Sequence, residues 1–159
     1  MPTKRRARRT TARKTRRRAA RKTRRLVKRR MPETLRLRAA FPGFTVNDLE
    51  RSLAWYRDVL GFTVKERWEQ DGKVMGVEVV AGSVTFFLSQ DDWKKGRDRK
   101  KGEGFSIYCT TAQNVDDLAA VIKGRGGAIA REPQDQPWGA RDFAVTDPDG
   151  FRITISSTS

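Results

Sequence analysis

The chain has 159 residues, a length that favours one domain or two small halves. Its formal charge is +16, but residues 1–30 hold 17 of the 35 Lys and Arg residues and no acid, which leaves 18 bases against 19 acids in the rest. The sequence contains no histidine, which excludes Ser-His-Asp and Cys-His catalytic arrangements and removes the commonest transition-metal ligand.

The basic charge belongs to an N-terminal arm of low complexity, residues 1–33, in which the hexapeptide ARKTRR occurs at 12–17 and at 20–25. Repulsion among its charges predicts a disordered arm that becomes helical when neutralised. Such a run is typical of segments that contact nucleic acid or another polyanion through phosphates. The alternatives are a solubilising tail, an organelle transit peptide and a translation start at Met31. The candidate phosphate contacts are Arg13, Lys14, Arg16, Arg17, Arg21, Lys22, Arg24 and Arg25.

Cysteine usage and apolar runs bear on the compartment. Because Cys109 is the only cysteine, no disulfide forms within the chain, and a reducing compartment is the simpler interpretation. Cys109 lies in the strand-like stretch FSIYC and is interpreted as a small core residue. No run approaches the ~20 apolar residues that span a bilayer, and the start lacks a secretory apolar region. The sequence therefore predicts a cytoplasmic protein with no membrane partner.

After the arm, the pattern predicts one strand, one helix and three further strands. Residues 35–46 indicate a strand, and 47–62 indicate a helix with Asn47 as its N-terminal cap, Glu50 completing a capping box and Gly61 as its stop. The apolar side of this helix is formed by Leu49, Leu53, Tyr56 and Leu60. The three strands are predicted at 63–69, 74–81 and 84–89, with turns at Asp71-Gly72 and Ala81-Gly82 between them.

The remaining sequence repeats this order. GEGFSIYCTT indicates a strand, and NVDDLAAVIKGRGG indicates a short helix with one apolar side. Further strands are predicted at 127–131, 141–146 and 151–156. A period of about 67 residues, present twice, indicates two units that bury one core together. The sequence thus predicts an α+β domain over 34–159, built from paired βαβββ modules at about 35–90 and 103–157.

Three stretches carry a family resemblance: FTVNDLERSLAWYRDVLGF, the Trp138-Gly139 loop before a strand, and DPDGFRITI. Together they resemble the vicinal oxygen chelate superfamily, which includes glyoxalase-like proteins, extradiol dioxygenases and bleomycin resistance proteins. The resemblance covers about 35–157. It implies a curved mixed sheet with a concave cup, often completed or stabilised by dimerisation, so a homodimer is expected.

Metal-dependent members of this superfamily place ligands at four positions that face the cup. The resemblance maps these positions onto Phe41, Phe87, Gly104 and Thr154. None is His, Glu or Gln, whereas a catalytic divalent metal typically needs about three protein ligands. The sequence therefore predicts no metal and no cofactor. Glu66, Glu78 and Asp142 are interpreted as solvated or paired charges.

Strand alternation assigns the remaining side chains of the cup. The face opposite to the candidates is apolar and is expected to meet the helices, through residues such as Phe86, Leu88, Phe105, Ile107, Ile153 and Ile155. Trp93 and Trp138 either border the cup or pack locally. Arg141 or Arg152 would pair with an anionic group of a ligand. The candidate ligand-binding residues are Phe41, Thr85, Phe87, Ser89, Ser106, Tyr108, Trp138, Arg141, Arg152 and Thr154.

Three functions remain open from the sequence. The first is a metal-independent protein that binds a small aromatic or partly apolar molecule. The second is a superfamily enzyme with unusual chemistry, for which Tyr108, Glu78 and Asp142 are the acid–base groups, although no catalytic residue is assigned. The third is a nucleic-acid-associated protein whose folded domain serves oligomerisation or sensing.

Overall fold

The computed structural model describes residues 38–157. The predictions for the arm, including its eight candidate phosphate contacts, lie outside the described residues. Within the described range the chain forms eight strands and two helices. The strands are β1 (Gly43–Val46), β2 (Thr63–Gln70), β3 (Lys73–Ala81), β4 (Val84–Gln90), β5 (Ser106–Thr111), β6 (Ala128–Asp135), β7 (Arg141–Thr146) and β8 (Arg152–Ser157). The helices are α1 (Leu49–Ala54), which continues as a π-helical turn over Trp55–Val59, and α2 (Val115–Gly124).

The strands form two four-stranded mixed sheets of equal topology. The first sheet has the order β1-β4-β3-β2 and the second the order β5-β8-β7-β6. In each sheet the first strand pairs in parallel with the last strand of its module, and the other pairs are antiparallel. The predicted α+β fold with two βαβββ modules is therefore confirmed. Of the strand predicted at 35–46, the described part begins regular pairing at Gly43, directly after Pro42.

The cap of α1 differs from the prediction by one residue. Asp48 is the N-cap, and its Oδ1 accepts a hydrogen bond from the Arg51 amide at 3.0 Å. The backbone amide of Asn47 donates to Asp149 Oδ1 at 3.1 Å, which links the start of α1 to the second module. Both side chains are good caps, and the sequence alone does not choose between neighbours of equal propensity.

The faces of the sheets that meet the helices form one core shared by both modules. The ring of Phe44 in β1 lies 4.7 Å from that of Phe151, measured between centroids. The predicted core positions Phe86, Leu88 and Ile153 are buried. Phe105 differs from the prediction because it precedes β5 and remains 44 % exposed.

The turn before β8 also joins the two modules. Asp147, 4 % exposed, accepts hydrogen bonds from the Tyr56 hydroxyl at 3.1 Å and from the amides of Phe151 at 2.7 Å and Asp149 at 3.0 Å. Burial raises the pKa of Asp147, which the three donors partly offset. Burial and the neighbouring Asp147 carboxylate also raise the pKa of Tyr56. The DPDG turn predicted from sequence is thus also a polar contact between the modules.

A basic linker between the modules is fixed by one carboxylate. Asp91 accepts from Lys101 Nζ at 2.6 Å and from an Arg99 guanidinium nitrogen at 2.7 Å. The hydrogen bond from Lys101 is the largest cause that lowers the pKa of Asp91 to about 2. Trp93 lies in this linker under Arg97, whose guanidinium carbon is 4.6 Å from the ring centroid. These contacts favour local packing for Trp93.

Candidate functional site

The cup candidates lie on the sheet faces opposite to the helices, and they divide between the two sheets. We call the face of the first sheet that carries Thr85, Phe87 and Ser89 the first cup face. The face of the second sheet that carries Ser106, Tyr108, Arg152 and Thr154 is the second cup face. Strand alternation separates both sets from the buried core side chains of the same strands.

Three aromatic side chains cluster on the first cup face, and we call Phe41, Trp68 and Phe87 the aromatic shelf. The rings of Trp68 and Phe87 stack at 5.2 Å between centroids with 26° between their planes. The ring of Phe41 lies 6.1 Å from Phe87 at 60°. Phe41 is 50 % exposed and Trp68 38 % exposed, so the shelf offers open ring surface. Aromatic surface in such offset arrangements suits stacking of a further planar group.

Trp68 is not among the cup residues predicted from the sequence, and the reason lies in the register of β2. Trp68 lies opposite Gly76 of β3, and a side-chain carbon at Gly76 would stand 3.3 Å from the Trp68 ring. The missing side chain leaves room for the indole beside Phe87. An irregularity between Trp68 and Glu69 shifts the pairing, so counting back from the Asp71-Gly72 turn does not place Trp68 opposite Gly76.

Glu78 also lies on the first cup face, opposite Phe87 in the pairing of β3 with β4. It is 6 % exposed, and its Oε1 accepts from Lys65 Nζ at 2.6 Å. The pair places a compensated charge beside the aromatic shelf. Glu78 is therefore a paired carboxylate, as interpreted from the sequence.

The second cup face combines an exposed phenol with buried polar groups. Tyr108 is 61 % exposed and lies opposite Thr154, which is 2 % exposed. Asp142 of β7 is fully buried and accepts from the Arg131 guanidinium and from Gln136 Nε2, the latter at 2.8 Å. Both donors reach Asp142 Oδ1, whereas Asp142 Oδ2 and the Arg131 Nε are buried without a hydrogen-bond partner among the described residues, so this carboxylate is only partly compensated.

Three other candidates lie outside the strand positions of the two cup faces. Arg141 lies on the helix side of β7, where alternation places it with Phe143 and Val145, and its guanidinium binds Asp116 through two hydrogen bonds of 2.8 Å. Arg141 therefore does not face the cup. Of the two arginines predicted to pair with an anionic ligand group, only Arg152 lies on a cup face. Gly104 has φ +72° in the turn before β5, and Trp138 lies in a loop, 65 % exposed.

A metal does not fit the four positions that superfamily members use. Phe41 and Phe87 contribute rings that contact each other, Gly104 has no side chain, and Thr154 offers one neutral hydroxyl. Rings at two of the positions would exclude the hydration shell of a divalent ion. Between residues 38 and 157, no group of three His, Cys, Asp or Glu side chains is placed to hold an ion.

The described helices also bear on membrane insertion. Neither α1 nor α2 has the length and the apolar sequence that crossing a bilayer requires.

Comparisons with known proteins agree with this architecture. The family model for the Glyoxalase/Bleomycin resistance protein/Dioxygenase superfamily matches residues 38–155. A probable lactoylglutathione lyase of Synechocystis sp. is 27 % identical over 121 residues, which cover 72 % of this chain and 90 % of that protein. A bleomycin resistance protein of Geobacillus stearothermophilus is 28 % identical over 131 residues, which cover 73 % and 93 %. A superfamily structure from Sphaerobacter thermophilus DSM 20745 matches with a TM-score of 0.65 and 25 % identity, over 78 % of this chain and 100 % of that chain. The chain belongs to the glyoxalase/bleomycin resistance protein/dioxygenase superfamily.

Proposed function

We propose that the folded domain binds a small planar or partly apolar molecule without a metal, on the aromatic shelf of the first cup face. The observation that carries this proposal is the stacked, partly exposed pair of Trp68 and Phe87 at a position where metal-using relatives place a ligand. A planar group laid on such a pair gains burial of apolar area and a stacking contribution of about 0.5–1.5 kcal/mol per ring pair.

Polar groups beside the shelf would orient the bound molecule. Ser89 and Thr45 place their hydroxyl oxygens 3.5 Å apart on neighbouring strands of the first sheet. A pocket with aromatic walls and a few hydrogen-bonding groups suits a small molecule that is largely apolar. On the second cup face, the Tyr108 hydroxyl and the exposed Arg152 offer a hydrogen bond and a cation for an anionic substituent.

A homodimer fits the distribution of these side chains. Phe41, Trp68 and Tyr108 leave large ring areas exposed on the two cup faces of one chain. In such a dimer, the second cup face of one copy would lie over the first cup face of the other copy. This arrangement would cover these rings and bring the candidates of both faces to one ligand. The two copies would then form two equivalent sites.

The relatives do not identify the ligand of this chain. The name of the Geobacillus relative refers to bleomycin resistance, and bleomycin-like drugs are cationic. Outside residues 1–30 the chain carries 18 bases and 19 acids, so it would attract a cation only weakly. We therefore propose a planar molecule that is neutral or anionic.

A thermal-shift screen with chelator present tests the proposal. The panel contains neutral bicyclic aromatics, aromatic carboxylates and aliphatic compounds of matched size. At least one aromatic class should raise the melting temperature by several degrees, because a ligand that binds only the folded state stabilises it by mass action. The shift should disappear in Trp68→Ala, which removes half of the stacked pair.

The matched control for this screen is Val121→Ala. Val121 is 46 % exposed on α2, so its truncation also removes exposed apolar surface but lies on the helix side of the fold. This variant should keep the full ligand-induced shift. Equal shifts in the Trp68 and Val121 variants, or stabilisation by aliphatic compounds alone, would place the ligand elsewhere and contradict the proposal.

The basic arm carries a second, separate proposal, which rests on sequence alone. Seventeen Lys and Arg residues without an acid in residues 1–30 would neutralise phosphates of nucleic acid without reading its sequence. If about 6–10 of them contact phosphates, affinity should fall roughly 10³–10⁵-fold between 50 and 200 mM salt. A gel-shift comparison of the full chain with a chain that starts at Met31 measures this, and equal retention of DNA by both would contradict it.

A further inference from the structure

A half-open cavity of about 390 Å³ lies where the two modules meet on the helix side of the sheets. The first module contributes the end of its helical segment and the turn between β3 and β4. The second contributes the end of β5 together with side chains of α2 and β8. Residues that line it include Leu60, Val84, Cys109, Ile122, Ile153 and Ile155.

A difference between the two modules accounts for this space. The N-caps Asp48 and Asn114 are equivalent positions of the two helices, so Tyr56 of the first module corresponds to Ile122 of the second. Tyr56 fills its side of the junction and reaches Asp147 with its hydroxyl. Ile122 is too short to fill the corresponding space on the other side. The pseudo-symmetric fold thus has one packed junction and one open junction.

The chemistry of the lining is unusual for this chain. Charged residues make up 34 % of the sequence, yet none of the residues that line the cavity is charged. Burial raises the pKa of the Cys109 thiol, so this group is a neutral, weakly polar wall at physiological pH. Uncharged polar side chains also line the cavity, those of Ser83, Thr110, Thr111 and Gln113. An ionised ligand would lose its hydration here without gaining a partner of opposite charge.

We propose that this cavity is a second binding site, for a small uncharged apolar molecule such as a monocyclic aromatic or a short aliphatic chain. Its volume is larger than that of an engineered apolar cavity of about 150 Å³, which stays dry and takes up benzene. Apolar transfer into such a space is favourable in proportion to the buried area.

The site is distinct from the aromatic shelf. In β5 the cavity is lined by Cys109, whereas Tyr108 points to the second cup face. In β8, Ile153 and Ile155 line the cavity, whereas Thr154 belongs to the second cup face. The cavity and the second cup face therefore lie on opposite sides of the second sheet. No residue of the aromatic shelf, which belongs to the first sheet, lines the cavity, so occupation of one site does not require the other.

Titration of the full chain with toluene tests the proposal, read out by methyl NMR. The Ile and Leu methyl groups of the cavity should show saturable shift changes, while methyl groups remote from it should not. Ile155→Phe and Cys109→Leu add volume from partly buried walls and should each weaken toluene binding by about tenfold. The melting temperature of each variant confirms that it is folded.

Two control variants complete the experiment. Val121→Phe adds a ring on the exposed side of α2 and should leave toluene binding unchanged. Trp68→Ala should also leave it unchanged, because the shelf is a separate site. No saturable shift in the wild-type chain, or unchanged affinity in both filled variants, would overturn the proposal and indicate that the space holds only water.

Discussion

Gly102→Ala is expected to lower the free energy of unfolding by about 3 kcal/mol or more. Gly102 has φ +71°, a conformation that alanine adopts only with strain. An added side-chain carbon would also stand 2.2 Å from the carbonyl oxygen of Gly150 and 2.8 Å from the Phe151 Cα. Both neighbours are backbone atoms, so relief requires the linker and the DPDG turn to move apart.

Gly104→Ala separates the two causes of this effect. Gly104 has nearly the same φ, +72°, but no atom lies within 4 Å of the added carbon. It should lose only the conformational contribution, about 1 kcal/mol. Urea unfolding of both variants measures the difference. Equal losses would mean that the close approach of linker and turn contributes nothing.

Asp147→Ala is expected to cost about 2–4 kcal/mol, because it leaves the Tyr56 hydroxyl and two buried amides without their acceptor. Asp147→Asn is the matched control. Its carbonyl oxygen still accepts from the amides, and its amino group donates to the Tyr56 oxygen, so the cost should stay near about 1 kcal/mol. Similar losses in the two variants would contradict a hydrogen-bonding role for Asp147.

The pH dependence of these variants has a definite sign. Burial raises the pKa of Asp147 above its ordinary value of 3.8, so the folded state binds the proton more tightly than the unfolded state. The stability that this carboxyl contributes is complete below pH 3.8 and is lost as pH rises through the raised pKa. Asp147→Asn has no titrating group at this position and does not show this loss. The difference in free energy of unfolding between the wild type and this variant should therefore shrink as pH rises over that interval. Chemical unfolding across this pH range measures it.

The fold could be predicted because the sequence pattern of one module recurs in the other. Apolar residues with helical and strand periods recur in the same order, and the DPDG turn and the glycine helix stops mark the boundaries. The sequence does not identify a single residue where two neighbours have the same chemistry. The N-cap of α1, for example, is Asp48 and not its neighbour Asn47. There the Asp48 carboxylate accepts from the Arg51 amide in the first turn of the helix.

The candidate site could be predicted only in part. Alternation placed Phe87 on the first cup face correctly, because β4 is regular. Trp68 is absent from the predicted residues, and an irregularity in β2 shifts its register toward Gly76. Arg141 is a candidate through its charge alone, and the sequence signals neither Asp116 nor Asp135 as its partner. Long-range ion pairs of this kind depend on how α2 packs on the second sheet.

Titration calorimetry tests most directly whether the aromatic shelf binds its ligand without a metal. The aromatic compound with the largest thermal shift is titrated into the wild-type chain with excess EDTA, and again after dialysis against Zn²⁺, Ni²⁺ or Mn²⁺. We expect the same affinity in every buffer and no metal-induced rise in melting temperature, because Phe41 and Phe87 stand where metal ligands would be needed. Binding that is lost in EDTA and restored by one of these ions would contradict it.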